Sequence, residues 1–339
     1  MNRERQSSCL LGGALGDSLG LPAEGLNAKR IARMWPGPLR HRFCGRCGMV
    51  SDDTEHALMT ALSLNRDDHD AKAFARDLAR RLRWWFAGIP AGIGLATARS
   101  ILKLWCGVSP VRSGVWSAGN GPLMRAPVIG VCFSQDAAKR MAFADASTRI
   151  THSDPRAAEA ARMIAEAAAM ASERVQDSAE ILQVLETMAE SAEMKSRLPA
   201  LREALREDCA VAEFADRIGR KAGFVSGFAP DSAAVALYAW LHHRGDFRAT
   251  VEAVVASGGD TDTVAFIAGS LAGTDAGVKG MPAEWIDGLR DWPINAHLLR
   301  GDLSDSPIRY PVWPLSLARN FVFLLVVVGH VFRRALPPY

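Results

Sequence analysis

An all-α fold, a single compact multi-helix domain over residues 1–339, is predicted by three observations. Apolar residues recur at helical steps, as in Phe74, Leu78, Leu82 and Trp85 and again in Phe247, Val251, Val254 and Val255. Residues 155–221 are rich in Ala, Glu, Arg and Met without alternation, so several helices with close Ala-lined contacts are expected. Strand signals are confined to two short Val/Ile-rich pieces, 126–133 and 321–328, and periodicity cannot separate strand from helix in runs that short.

The amino terminus, MNRERQSSCLLGGALGDSLG, begins with charge, and its apolar part is short, glycine-broken and ends at Asp17, which does not read as a signal peptide. Gly12, Gly13, Gly16, Gly20 and Gly25 form a small-residue face for tight helix packing, and Glu24 follows just past Pro22. This is no dinucleotide fingerprint, because no strand precedes it and the glycine order is wrong. SDDT (51–54) heads an apolar-periodic helix, and Arg76, Arg80, Arg81 and Arg83 have the spacing of a solvated helix face. Gly and Pro mark loops at 36–38, 88–94, 107–114, 119–122 and 305–314. THSDP (151–155) introduces an Ala-rich helix, and Asp231 and Ser232 read as caps of another. FVFLLVVVGHVF (321–332) runs twelve residues between Arg319 and Arg333. A membrane span needs about twenty, so a buried closing helix is expected there, with a strand the less favoured reading. No repeat or linker divides the chain; the motifs occupy about 8–275, and 276–339 closes the same domain.

With 339 residues, 49% hydrophobic and 23% charged, the chain can bury a large core. A net charge of +3, with scattered basic residues, is too weak a field to argue for nucleic acid, and no membrane partner is expected. Six cysteines are too few and too dispersed for a disulfide scaffold and fit a reducing cytoplasm. Cys44 and Cys47 have half a zinc-knuckle spacing, but no second pair completes four ligands, so they read as loop cysteines.

Chemistry concentrates at two acidic helix starts, SDDT and SGGDTDT (257–263). Ser and Asp cap helices, and carboxylates there interact with the macrodipole by roughly 0.3 to 1 kcal/mol each. One carboxylate satisfies a cap, however, and each motif offers two plus hydroxyls, with Gly258 and Gly259 allowing close approach. Four carboxylates in one pocket would need a cation, and a set of hard oxygens suits Mg²⁺ or Mn²⁺. Spacing alone leaves both readings open, a joint metal site or two separate caps. A third motif, SAGNGPLMR (117–125), is a glycine-rich turn whose amides and Asn120 suit phosphate or sugar hydroxyls, although ordinary turns share its pieces. His152 in the fourth is either a pocket donor or a helix-entry residue.

In this order, GALGDSLGLPAE (13–24), SDDT, SAGNGPLMR, THSDP and SGGDTDT resemble the ADP-ribosylglycohydrolase family, which includes the dinitrogenase-reductase-activating glycohydrolases. The resemblance implies an all-α fold with two divalent cations, Mg²⁺ or Mn²⁺, at the base of an ADP-ribose cleft. It implies Ser51, Asp52, Asp53, Asp260, Asp262 and Thr263 as ligands, and Ser117, Gly119, Asn120, Gly121 and His152 as substrate contacts. Glu24 falls where the family carries a mobile acidic residue, and Glu24 or Asp262 would handle the proton. Ser51 stands where threonine is usual, and Ala118 where some relatives carry an aromatic; Trp116 is either its substitute or a core residue. The activity implied is hydrolytic removal of ADP-ribose from modified protein, arginine above all, reversing an ADP-ribosyltransferase. The main alternative is an immunity or binding protein that occludes such a transferase or holds ADP-ribosylated partners with little turnover; a metal-dependent phosphoester hydrolase ranks third.

Overall fold

The computed structural model describes residues 2–43, 45–219, 223–301 and 310–336. The first half of the chain forms α1 (Arg3–Gly20), α2 (Ala28–Met34), α3 (Asp52–Arg66), α4 (Ala71–Ala87), α5 (Leu95–Trp105), α6 (Pro110–Ser113), α7 (Ala126–Cys132), α8 (Ala137–Thr151) and α9 (Pro155–Ser172). There follow α10 (Ser178–Thr187), α11 (Ala192–Glu207), α12 (Val211–Ile218), α13 (Ala229–His242), α14 (Phe247–Ser257) and α15 (Thr261–Ala276). The closing segment holds α16 (Ala283–Gly288), α17 (Ala296–Arg300) and α18 (Leu315–Ala335). Among the described residues there is no strand, only isolated bridges, and the helices pack as one compact all-α domain.

The centre is the pair α1 and α15, and glycine is what lets them meet. A Cβ on Gly12 would stand 2.3 Å from the carbonyl oxygen of Gly269, one on Gly16 2.0 Å from that of Ala265, and one on Gly20 2.3 Å from that of Thr261. Backbone rather than side chain fills each of those places, so the helices touch along their length. Every residue of α15 from Thr261 to Thr274 is buried, as is α13 from Ala229 to Leu241, and small side chains on both permit that depth. Around this pair the Ala-rich α9 meets α7 as closely, with Gly130 facing the Ala165 carbonyl.

The fold decides two readings left open by the sequence, at 126–133 and Trp116, and changes two others, at Asp231 and 321–332. Residues 126–132 form α7, not a strand, because Pro127 in the first turn loses an N–H that has no helical partner there. Asp231 does not cap α13; its Oδ1 accepts from Arg197 Nε at 2.7 Å, and the helix begins at Ala229. Residues 321–328 lie within α18, and that helix is not buried: Phe321 is 62% and Phe332 70% exposed. Trp116 is exposed too, so it is not a core residue. Cys47 is a thiol, while its CxxC partner Cys44 lies outside the described residues. On α4, Arg76 and Arg80 are exposed, as a solvated face predicts, but Arg81 is drawn inward: it bonds to the buried Asp77 at 2.7 Å, beside Arg80 at 2.6 Å.

Candidate functional site

α3 enters the site through a cap that leaves both its aspartates free of capping. Ser51 Oγ accepts from the Asp53 amide at 3.2 Å, so the serine, not an aspartate, caps the helix. A carboxylate from another helix completes the turn: Asp17 on α1 accepts from the Ser51 amide at 2.9 Å and from the Thr54 hydroxyl at 2.5 Å. In sequence Asp17 reads only as part of a glycine-rich packing helix. Nothing about a single Asp there signals that it would be buried under the SDDT turn.

The second acidic start follows two glycines that are held by backbone. Gly258 and Gly259 have φ of 75° and 88°, and a Cβ on Gly259 would stand 2.1 Å from the Val225 carbonyl oxygen. The Gly259 amide donates to Leu26 O at 2.7 Å and its carbonyl accepts from Gly25 at 2.8 Å, which ties the loop carrying Glu24 to this motif. Asp260 occupies the cap position of α15 but makes no capping bond. Its Oδ2 instead accepts from Asn120 Nδ2 at 2.7 Å, and Asn120 also donates to Ser232 Oγ at 3.0 Å. Capping therefore accounts for neither Asp260 nor Asp262.

The two motifs meet at one oxygen. Thr263 Oγ1 on α15 and Ser51 Oγ both donate to Asp53 Oδ2, at 3.1 and 3.0 Å. Above them lies a cleft of about 460 Å³ lined by Glu24, Asp52, Asp260, Asp262 and Thr263 on one side, and by Ser117, Gly119, Asn120, Gly121 and His152 on the other. Ser51 and Asp53 sit just beneath it, buried. A Cβ on Gly119 would stand 3.2 Å from His152 Nε2, and one on Gly121 3.0 Å from the same ring's Cε1, so these glycines bring backbone against the imidazole.

His152 presents a defined face to this cleft. Buried Arg125 donates from Nη2 to Thr151 Oγ1 at 2.8 Å and contacts His56 Nδ1 from Nη1 at 3.1 Å. The Thr151 hydroxyl, which accepts from Arg125, lies 2.9 Å from His152 Nδ1, and Nε2 is the ring nitrogen that faces the Gly119 backbone and the cleft. Burial, followed by the Arg125 charge, holds the His152 pKa down at about 3 and that of His56 well below its usual value. Burial also lowers Arg125 to about 9. The ring is thus neutral at physiological pH. Arg125 belongs to the SAGNGPLMR motif, but only its packing against α3 and α8 reveals this role.

The acidic side is electrostatically unbalanced. Burial raises Asp52, Asp53 and Asp262 well above the carboxylate range, and the charges of neighbouring acids add to it. Burial also raises Glu24, with Asp260 adding and Arg334 opposing. Asp17 is pushed up to about 7 by burial, against the bonds from Thr54 and Ser51. These groups bind more protons folded than unfolded, so their contribution makes stability fall as pH rises from the unfolded carboxylate range through the folded values. The buried histidines act in the opposite sense, because His56 and His152 stay neutral when folded and take up protons below about pH 6.5 when unfolded. Subtracting an Asp17→Asn variant from the parent removes that opposing contribution and leaves the carboxyl. In chelator, the parent is expected to lose roughly 2 kcal/mol of stability relative to Asp17→Asn between pH 5.5 and 8, as measured by denaturant unfolding. A parent-minus-variant difference that stays flat, or grows in the parent's favour, would contradict this.

The donor set fits hard divalent cations. Asp53 Oδ1 and Asp262 Oδ1 are buried without a hydrogen-bond partner, and the surrounding atoms are carboxylate and hydroxyl oxygens. Among the described residues no three carboxylate, imidazole or thiolate groups stand as a finished metal cluster. Hydroxyls from Ser51 and Thr263 take up the shared oxygen of Asp53 instead.

The comparisons agree with this architecture. The chain is 29% identical over 298 residues to an uncharacterized protein of Archaeoglobus fulgidus, covering 85% of this chain and 92% of that one. Among solved structures it matches an ADP-ribosylglycohydrolase-related protein complex with a TM-score of 0.65 and 26% identity, covering 94% of this chain and 98% of the other. The model of the ADP-ribosylglycohydrolase family matches residues 2–311, nearly the whole helical body described above. By that match and by its all-α fold, the chain belongs to the ADP-ribosylglycohydrolase family, hydrolases of ADP-ribosylated substrates that generally depend on divalent metal.

Proposed function

We propose that this chain removes ADP-ribose from modified protein side chains, arginine N-glycosides above all, and so reverses an ADP-ribosyltransferase. The observation that carries the reading is the meeting of two acidic helix starts at Asp53 Oδ2 beneath the cleft, with unpartnered carboxylate oxygens on both motifs. Ser51, Asp52 and Asp53 from α3 and Asp260, Asp262 and Thr263 from α15 would hold two Mg²⁺ or Mn²⁺ ions. Such ions supply concentrated positive charge and Lewis acidity to sugar hydroxyls and water.

The chain's own groups do the rest. Asn120 holds Asp260 by its amide, and Ser117, Gly121 and His152 line the cleft beside it as polar contacts for ribose and phosphate oxygens, while the Gly119 amide is taken up by Ser117 Oγ. Cleavage of the glycosidic bond develops positive charge on the sugar, which carboxylates lining the cleft stabilise. Glu24, whose pKa is raised by burial, retains a proton closer to neutrality than an ordinary glutamate and is suited to exchange it with the leaving group or water. Asp262 is the second candidate for that role, for the same reason.

Free ADP-ribose released from arginine-modified and from serine-modified protein, with and without EDTA, tests this. Faster release from arginine, lost in chelator, is expected. Full activity in EDTA would defeat the cation site, and preference for serine would defeat the linkage.

A further inference from the structure

α18 is apolar toward the body and toward solvent alike: Phe323, with Val326 and Val327 beside it, packs on Leu21 and Phe43. The helix's polar residues face the body too: Arg319 Nη2 donates to Val50 O at 2.6 Å, Asn320 Nδ2 to Gly88 O at 2.9 Å, and Arg334 Nη2 to Glu24 O at 3.0 Å. His330 Nε2 lies 3.0 Å from Pro22 O. Phe321, Leu324, Leu325, Val328, Val331 and Phe332 point to solvent, with Trp313 exposed just before the helix. An ordinary surface helix turns its polar residues to solvent, and a continuous apolar face of this kind marks an interaction surface. At 21 residues the helix is long and apolar enough to cross a membrane, but its polar bonds hold one side along the body.

What covers that face is indicated by its carboxyl-terminal end. There a pocket of about 450 Å³ is lined by Arg40, Arg42, Arg333 and Arg334, with Trp35 and His330, and among the described residues no carboxylate lines it. Arg42 stacks 4.7 Å from the Trp35 ring centre, and its buried Nε has no hydrogen-bond partner. The Arg42 guanidinium is held down to about 10 by burial and by the adjacent Arg40 charge, while Arg334 also feels the Glu24 carboxylate. Guanidinium groups recognise phosphate through paired N–H donors.

We propose that α18 and this arginine pocket form a docking surface for an anionic phospholipid bilayer, with the apolar face at the acyl boundary and a headgroup phosphate in the pocket. A bilayer offers apolar interior and anionic phosphate side by side, as the helix face and the pocket require. A second copy of this chain would cover the apolar face but would bring no anion shown to complement the four arginines. The tryptophan beside the helix start suits the bilayer–water boundary. This departs from the sequence expectation of no membrane partner and is independent of the catalytic reading.

Flotation of the full chain with phosphatidylcholine vesicles, with and without phosphatidylglycerol, provides the test. Binding is expected to the anionic vesicles and to persist against inorganic phosphate at matched ionic strength. Arg40→Gln/Arg333→Gln should weaken it about fivefold per arginine, and Leu325→Ser/Val328→Ser should abolish it while each variant melts like the parent. No flotation of the parent would overturn the proposal, as would displacement by free phosphate. So would a dimer in light scattering that Leu325→Ser/Val328→Ser disperses while vesicles stay unbound, since the face would then join two copies.

Discussion

Asp53→Asn/Asp262→Asn protein is expected to release ADP-ribose on the order of a thousandfold more slowly than the parent, the scale of losing preorganised charge in an active site. In chelator the same protein is expected to melt higher. The paired outcome follows from one cause. Both carboxyls are driven up by burial, Asp53 further by Asp52, Asp17 and Asp260, and Asp262 further by Glu24, Asp260 and Asp53. Amides of the same shape relieve that repulsion and still accept from Ser51 and Thr263, but they make poor ligands for a hard cation. Thermal melts in EDTA and in Mg²⁺ or Mn²⁺, beside product release, separate this from simple unfolding. Loss of activity with a lower melting point in chelator would refute the electrostatic account, and parent-like turnover would refute the site.

Arg319→Ala is expected to cost about 3–5 kcal/mol, as removal of one partner from a buried charge network does. Arg319 lies between Asp291 and Glu55, all three buried, and donates to Val50 O. Asp291 Oδ2 in turn accepts from the Val50 amide at 2.9 Å. The residue before Ser51 is thus gripped on both its polar groups by the closing segment. Glu55 keeps neutral donors in Trp85 Nε1 at 2.7 Å and the Tyr310 hydroxyl, but the lost cation leaves two buried carboxylates without a counter-charge. A fall in denaturant midpoint at unchanged slope measures the effect. A loss below about 1 kcal/mol would mean that water replaces the guanidinium and that the segment does not brace the SDDT turn.

Helix class and the chemistry-bearing motifs were legible because they are local. A period of 3.6 residues, a cap pattern or a glycine-rich turn is written within one or two turns of chain. The limits of that reading are equally physical. Ser51, Asp53 and Asp260 all satisfied the same local cap rule, yet only Ser51 caps; Asn120 takes up Asp260, and Asp231 turns to Arg197. Each choice depends on a donor far away in sequence. The short 126–133 run was ambiguous because strand and buried helix share its composition, and Pro127 at a helix start resolves it.

Hydrophobicity in 321–332 marked a helix-forming apolar run but not the side it would show to solvent. That depends on what the body offers α18: a small apolar patch at Leu21 and Phe43 takes only Phe323, Val326 and Val327, and the Val50, Gly88, Pro22 and Glu24 carbonyls take Arg319, Asn320, His330 and Arg334, which leaves the remaining apolar residues outside. The same distinction holds at the site. Residue types and spacing alone establish two acidic helix starts, a glycine-rich loop and an all-α chain. Their convergence, through Asp53 and Thr263 210 residues apart, and the recruitment of Asp17 exist only once α1 and α15 close backbone to backbone, and that of Arg125 only once α3 and α8 pack around it. Local preferences act within a few residues, whereas desolvation, charge repulsion and hydrogen-bond competition are settled by whatever the fold brings within a few ångströms.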